Sequence, residues 1–187
     1  MNFFWILLLI IAAIAIYLIV IYNKFASLRA GIDAAWSDIE VQLKKRYNLI
    51  PALIETVKGY KDYEADTLKK VIEARNMAQD AQSIEEKAKA NSILGAALGK
   101  LFALAEAYPD LKANQNFMQL QNELSNIEET IANARRYYNA IVRDYNAMLE
   151  SFPDMLIANK FNYTPKEYFE LDESEKEAVK KMPEVKF

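Results

Sequence analysis

Cysteine and histidine are both absent from the 187 residues. Without cysteine there are no disulfides, and the redox compartment is left undetermined. Losing both residue types also removes most zinc, haem, iron–sulfur and copper sites, and every triad that needs an imidazole. Glycine is scarce, at 4 residues, and no glycine-rich phosphate loop can be assembled from them. A net charge of -3 leaves no electrostatic footprint for nucleic acid. Charge is also missing locally, since nothing before Lys24 carries any. What remains is an apolar N-terminus followed by a charged, helix-former-rich chain, the composition of an elongated helical bundle.

Phe3 to Tyr22 contains neither charge nor proline and is mostly Ile, Leu and Ala. As a helix, such a run spans about 30 Å, the hydrocarbon thickness of a bilayer. Phe3, Trp5, Ile10, Tyr17 and Tyr22 are its marker residues, with the amphipathic rings of Trp5 and Tyr22 near the two ends, where such rings prefer to lie. A cleaved signal peptide would want basic residues before a shorter apolar core and a small-residue site after it. Neither is present, so residues 1–23 are expected to stay as a single transmembrane anchor. Lys24 and Arg29 follow the span, and the positive-inside tendency then puts the bulk of the chain in the cytoplasm.

Beyond the anchor, apolar spacing organises the chain. Phe117, Leu120, Leu124, Ile127, Ile131, Ala134, Tyr138, Ile141, Tyr145, Met148 and Phe152 follow one another in steps of three and four. That is the narrow seam of a coiled-coil-like helix, which needs a partner along its length. Leu28, Ile32, Trp36, Ile39, Leu43, Tyr47 and Ile50 form a second stripe, and no helix breaker separates it from the anchor. Pro51 lacks the amide that would bond back to the Tyr47 carbonyl, so a kink is expected there. Lys58-Gly59 reads as a helix stop. Two shorter helices follow. The first has Leu68, Val71, Ile72 and Ala78 inward, and the second Ala90, Leu94, Ala97, Leu101, Leu104 and Tyr108. Ser83 and Glu86 have capping-box spacing. The expected fold is all-α: an N-terminal transmembrane helix continuing into an elongated antiparallel four-helix bundle over 24–153, with helices near 24–58, 60–80, 85–108 and 114–151. Residues 154–187 make an aromatic, then charged tail. Its aromatic part should clasp the bundle, with a short helix near 174–181. The end of the last long helix should return towards the bilayer.

Chemistry-bearing constellations are few. Glu85-Glu86 and Glu128-Glu129 are adjacent pairs, and neighbours on a helix diverge by about 100°, so neither pair converges on a reacting atom. Arg75 and Arg135 flank apolar stripes and are expected to pair with Glu123, Glu128 or Glu129. Trp36 is expected in the core. The Tyr-Asn pairs at 138–139 and 145–146 suggest ringed core layers with asparagines tying helices together. Gly95, Gly99 and Ala103 form a small-residue row whose spacing suits close approach of a neighbouring helix or self-association. No catalytic, cofactor-binding or metal-binding residue is expected.

Three segments carry a family likeness. Ala35-Trp36-Ser37-Asp38-Ile39-Glu40-Val41-Gln42-Leu43-Lys44-Lys45-Arg46, with Leu49-Ile50-Pro51 and Val57-Lys58-Gly59-Tyr60, forms the first. Tyr108-Pro109-Asp110-Leu111-Lys112-Ala113-Asn114, with Phe117 and Leu120 to Leu124, is the second. The third is Ile131-Ala132-Asn133-Ala134-Arg135 with Tyr138-Asn139, Tyr145-Asn146 and Phe152-Pro153. In this order, and with Tyr168-Phe169-Glu170 and Pro183 to Phe187 at the end, the chain resembles the LemA family. Asn48 and Ala52 depart from the family's more frequent acidic residue and asparagine. The resemblance implies a bacterial cell-membrane protein, single-pass and four-helical, with no known catalytic residues. It also implies an association with membrane metalloproteases or other membrane proteins, and in one branch a role in magnetosome membrane formation. The expected function is a non-enzymatic bundle that binds or scaffolds partners at the lipid bilayer. The alternative is a homo-oligomer that organises or shapes the membrane.

Overall fold

Helix α1 runs from Phe3 to Lys58 without interruption, with Pro51 inside it. It belongs to a computed structural model that describes residues 3–59 and 65–170. The other helices are α2 (Ala65–Asp80), α3 (Ile84–Ala105), α4 (Pro109–Lys112), α5 (Gln115–Glu150) and α6 (Asp154–Lys160). The fold is all-helical, with no strand among the described residues. Residues 3–20 are exposed throughout. Among the described residues, α1 is the single helix long and apolar enough to cross a membrane.

The chain divides into two compact units built from separate stretches. In the first, formed by residues up to 38 with 136–167, Ile21, Phe25, Ile32 and Ala35 of α1 are buried, as are Tyr138, Val142, Tyr145 and Met148 of α5. The rings of Phe25 and Tyr145 meet edge-on at 5.9 Å, and Trp36, half-buried, lies 5.5 Å from Tyr138. Each large apolar side chain removed from water in this way contributes about 1.5–3 kcal/mol. The stretch after α6 is fastened by side chains of α5. Asn146 donates to the Lys166 carbonyl and accepts from its amide, both at 2.9 Å. The Tyr138 hydroxyl donates to the Glu167 carbonyl at 2.9 Å. Tyr163 packs on Phe25 at 5.0 Å, under the Arg29 guanidinium.

The second unit takes in 39–135 and the described residues from 168 on. Its core holds Ile39, Leu43, Ile50, Leu53 and Val57 of α1, Val71 of α2, Leu94, Leu98 and Leu101 of α3, and Phe117, Leu124 and Ile127 of α5. α2 and α3 pack on each other. Ser83 caps α3 in a full capping box with Glu86, as the spacing suggests. Glu86 also accepts from the Gln82 amide at 3.0 Å, and these backbone N–H groups hold its carboxyl below the usual carboxylate range.

Several faces differ from the sequence reading. Phe152 is 79% exposed, because α5 ends at Glu150 and helical spacing no longer governs the next residues. Ile72 is exposed, and Ala74 takes the inward place. On α3 the buried line passes through Asn91, Leu94, Leu98, Leu101 and Ala105, with Ala97 and Leu104 only half-buried, as is Tyr108 beyond the helix end. A stripe drawn through apolar residues alone skips Asn91 and so turns the helix slightly. The start of the second expected helix, 60–64, and the expected helix near 174–181 lie outside the described residues, as does the charged part of the tail.

Candidate functional site

Within the second unit, a charged side chain occupies the buried face of α1. Arg46 is 2% exposed, although Lys44 and Lys45 beside it are exposed. Consecutive helical residues point about 100° apart, and the register of α1 turns Arg46 inward with Leu43 and Tyr47 while Lys44 and Lys45 point away. Its Nη2 lies 2.5 Å from Glu128 Oε1 on α5. Nη1 reaches the Asn91 carbonyl and Oδ1 on α3, both at a long 3.4 Å. Nε is buried with no hydrogen-bond acceptor among the described residues. Burial pulls the Arg46 guanidinium below its ordinary range, and the Glu128 charge counteracts this. At Glu128, burial pushes the carboxyl up while Arg46 pulls it back.

Asn91 is the hinge of this layer. Its Oδ1 accepts from the Tyr47 hydroxyl at 2.9 Å, and its Nδ2 donates to the Lys87 carbonyl at 2.8 Å. Lys87 in turn pairs with Glu40. Burial raises the Tyr47 phenol above its ordinary value, and the Asn91 hydrogen bond works against that. On the other side of Tyr47, Arg75 Nε donates to the Tyr47 carbonyl at 3.0 Å. This is the carbonyl whose usual helical partner would be the amide that Pro51 lacks. Arg75 therefore replaces a backbone donor, and among the described residues it is not paired with a glutamate as its sequence context suggests. Glu128 finds Arg46 as its partner, an arginine that the apolar stripes had passed over.

Gly95 belongs to the same cluster. A Cβ there would stand 3.3 Å from Arg46 Nη2, so the glycine leaves room for the guanidinium. Gly99 faces open space, with nothing within 4 Å of such a Cβ, and Ala103 is exposed. The residues expected to mark an anchor, Phe3, Trp5, Ile10, Tyr17 and Tyr22, are all exposed.

Beside the arginine lies a half-open cavity of about 360 Å³, lined in part by Arg46, Gly95, Glu128, Arg135, Phe169 and Glu170. Two carboxylates face two guanidinium groups, so the charges balance and no lone acid is set against a lone base. Among the described residues no cluster of acids could hold a metal ion. The arrangement is suited to locking α1, α3 and α5 in register.

The sequence pattern of the LemA family matches residues 35–187. Protein LemA of Metamycoplasma hominis is 30% identical over 182 residues, covering 94% of this chain and 81% of its own length. Magnetosome protein MamQ of Magnetospirillum gryphiswaldense is 25% identical over 174 residues, covering 79% of this chain and 64% of its own. Magnetosome protein MamQ 2 of Paramagnetospirillum magneticum is 24% identical over 175 residues, with 80% and 64% covered. The chain thus spans just under two thirds of the magnetosome proteins it resembles.

Proposed function

Because the chain belongs to the LemA family, we propose that it is a single-pass membrane protein. Its four-helix bundle faces the cytoplasm, performs no catalysis, and binds or scaffolds other membrane-associated proteins. The observation that carries this reading is the continuity of α1. One helix begins with eighteen exposed, uncharged residues (3–20) and proceeds into positions buried among other helices. An exposed apolar run of this length costs too much in water and fits the bilayer interior. A helix without a break past Tyr22 transmits that placement to the residues beyond it. The polar layer around Arg46 supports a binding body over an enzyme, since its buried guanidinium is engaged with Glu128.

Two measurements test the reading. The full chain should remain in membranes washed with alkaline carbonate. A C-terminal tag should be degraded by protease only after the inner membrane is opened. Release by carbonate would defeat the anchor, and digestion in intact spheroplasts would defeat the orientation. Cross-linking in gently solubilised membranes should then recover a partner in fixed ratio to the chain.

A second reading has its own observation. Gly99 and Ala103 are exposed small residues on α3, and two relatives are magnetosome proteins. On that reading copies of the chain assemble through α3 to organise the membrane. Cross-linked species made only of this chain would favour it.

A further inference from the structure

We propose that residues 152–161, the turn after α5 together with α6, form a second membrane contact that lies in the bilayer interface without spanning it. The proposal rests on the anchored reading above and adds a lipid-binding surface to it. Four large apolar side chains in this stretch are exposed: Phe152 at 79%, Leu156 at 56%, Phe161 at 49% and Met155 at 36%. The opposite side of α6 is committed to the fold, with Ile157 and Ala158 buried. The helix is therefore held in place with an apolar face left over.

Its position within the first unit says what covers that face. The Tyr17 hydroxyl donates to Asp154 Oδ1 at 3.4 Å, and the rings of Tyr22 and Phe161 lie 5.0 Å apart. These two contacts set α6 alongside residues 17–22, the closing stretch of the apolar run. Their neighbours on α1, Leu18, Ile19 and Val20, are exposed apolar residues as well. Whatever covers the end of the anchor covers α6 too. With Tyr22 at the level where aromatic rings settle, Tyr17 lies about 7–8 Å deeper by helical rise. That is the depth at which interfacial helices bury their apolar faces, about 5–10 Å into the headgroup boundary. Stacking of Phe161 on Tyr163, and the tilted contact of Tyr163 with Phe25, hold the segment from behind. Asp154 and Lys160 are the charged residues of the stretch and cancel. Attraction to the membrane is thus apolar and does not depend on anionic lipid.

The absence of native cysteine allows a direct test on the full chain. Single variants Leu156→Cys, Phe152→Cys, Ile10→Cys and Arg143→Cys, each carrying an environment-sensitive fluorophore, would be reconstituted into phosphatidylcholine vesicles. Nitroxide-bearing lipids would report depth, and unchanged circular dichroism would certify the fold. Labels at 156 and 152 should emit to the blue of the label at 143. They should be quenched most by nitroxides near the headgroups, equally with and without phosphatidylserine. The label at 10 should be quenched most by nitroxides deep in the chains. If 156 and 152 behave like 143 while 10 stays deep, the anchor stands and the interfacial contact is overturned. If 10 is also aqueous, the anchored reading itself fails. A blue-shifted label at 156 that lipid nitroxides do not quench would assign the face to a second protein copy, and overturns the proposal.

Discussion

Pro51 and Arg75 solve one problem between them. The proline withdraws an amide from the Tyr47 carbonyl, and the guanidinium of Arg75 supplies a donor from α2 at 3.0 Å. Arg75→Met should therefore destabilise the fold by about 1–2 kcal/mol, the worth of a partly buried hydrogen bond from a charged donor. The same substitution on a Pro51→Ala background should cost clearly less, because the restored amide can reach the carbonyl. Thermal melts of the four proteins in mild detergent form the cycle, and equal costs on both backgrounds would refute the compensation. Glu128→Gln strips the counter-charge from a buried guanidinium. With Glu128 half-exposed, a loss of about 1–2 kcal/mol is expected, short of the full price of a broken buried pair. Tyr138 gives a pH signature. Burial, with Glu167 and Asp33 nearby, pushes its phenol up to about 12. Below about pH 10 folded and unfolded chains both keep the proton, so its contribution is constant there. Between about pH 10 and about 12 the unfolded chain loses the proton first, and stability falls by up to about 2–3 kcal/mol. Tyr138→Phe should flatten this alkaline decline in melts followed by circular dichroism, while losing about 1 kcal/mol below about pH 10 through the bond to Glu167.

At the scale of elements, what could be read from the sequence follows from the length over which a pattern repeats. The seam from Phe117 to Met148 was legible because steps of three and four persist through α5, and most of its positions are buried. The apolar run of α1 was legible because no charge interrupts it. α6 was not, since seven residues are too few to define a face, and Phe152 was drawn into the seam for want of a visible helix end. Arg46 stayed hidden for another reason. It stands in a basic triplet, and which member turns inward depends on Glu128 and Asn91, far away in the chain. Asn146 was expected to tie helix to helix, yet it grips the backbone of Lys166. The small-residue row of α3 likewise splits in two. Gly99→Ala meets nothing and should stabilise the helix by about 0.5–1 kcal/mol. Gly95→Ala gains the same propensity but crowds Arg46, so it should fall below Gly99→Ala in melting temperature. If the two variants shift it equally, the crowding at Arg46 has no energetic weight.

For the whole molecule, the same Gly99 substitution separates the two functional readings. A scaffold that presents its bundle to a different protein has no need of a bare α3 surface. Gly99→Ala should then leave both the oligomeric state and the recovered partner unchanged. An assembly that shapes membrane through packed copies would use the close approach that a missing Cβ permits, and Gly99→Ala should shrink its species. The net charge of -3 is too small for self-repulsion to keep copies apart, so contact geometry decides. Mass photometry of the intact chain in mild detergent is the measurement. Under the scaffold reading, wild type and Gly99→Ala should both be monomeric at micromolar concentration. Large species in the wild type that collapse on this single substitution would instead establish assembly through α3.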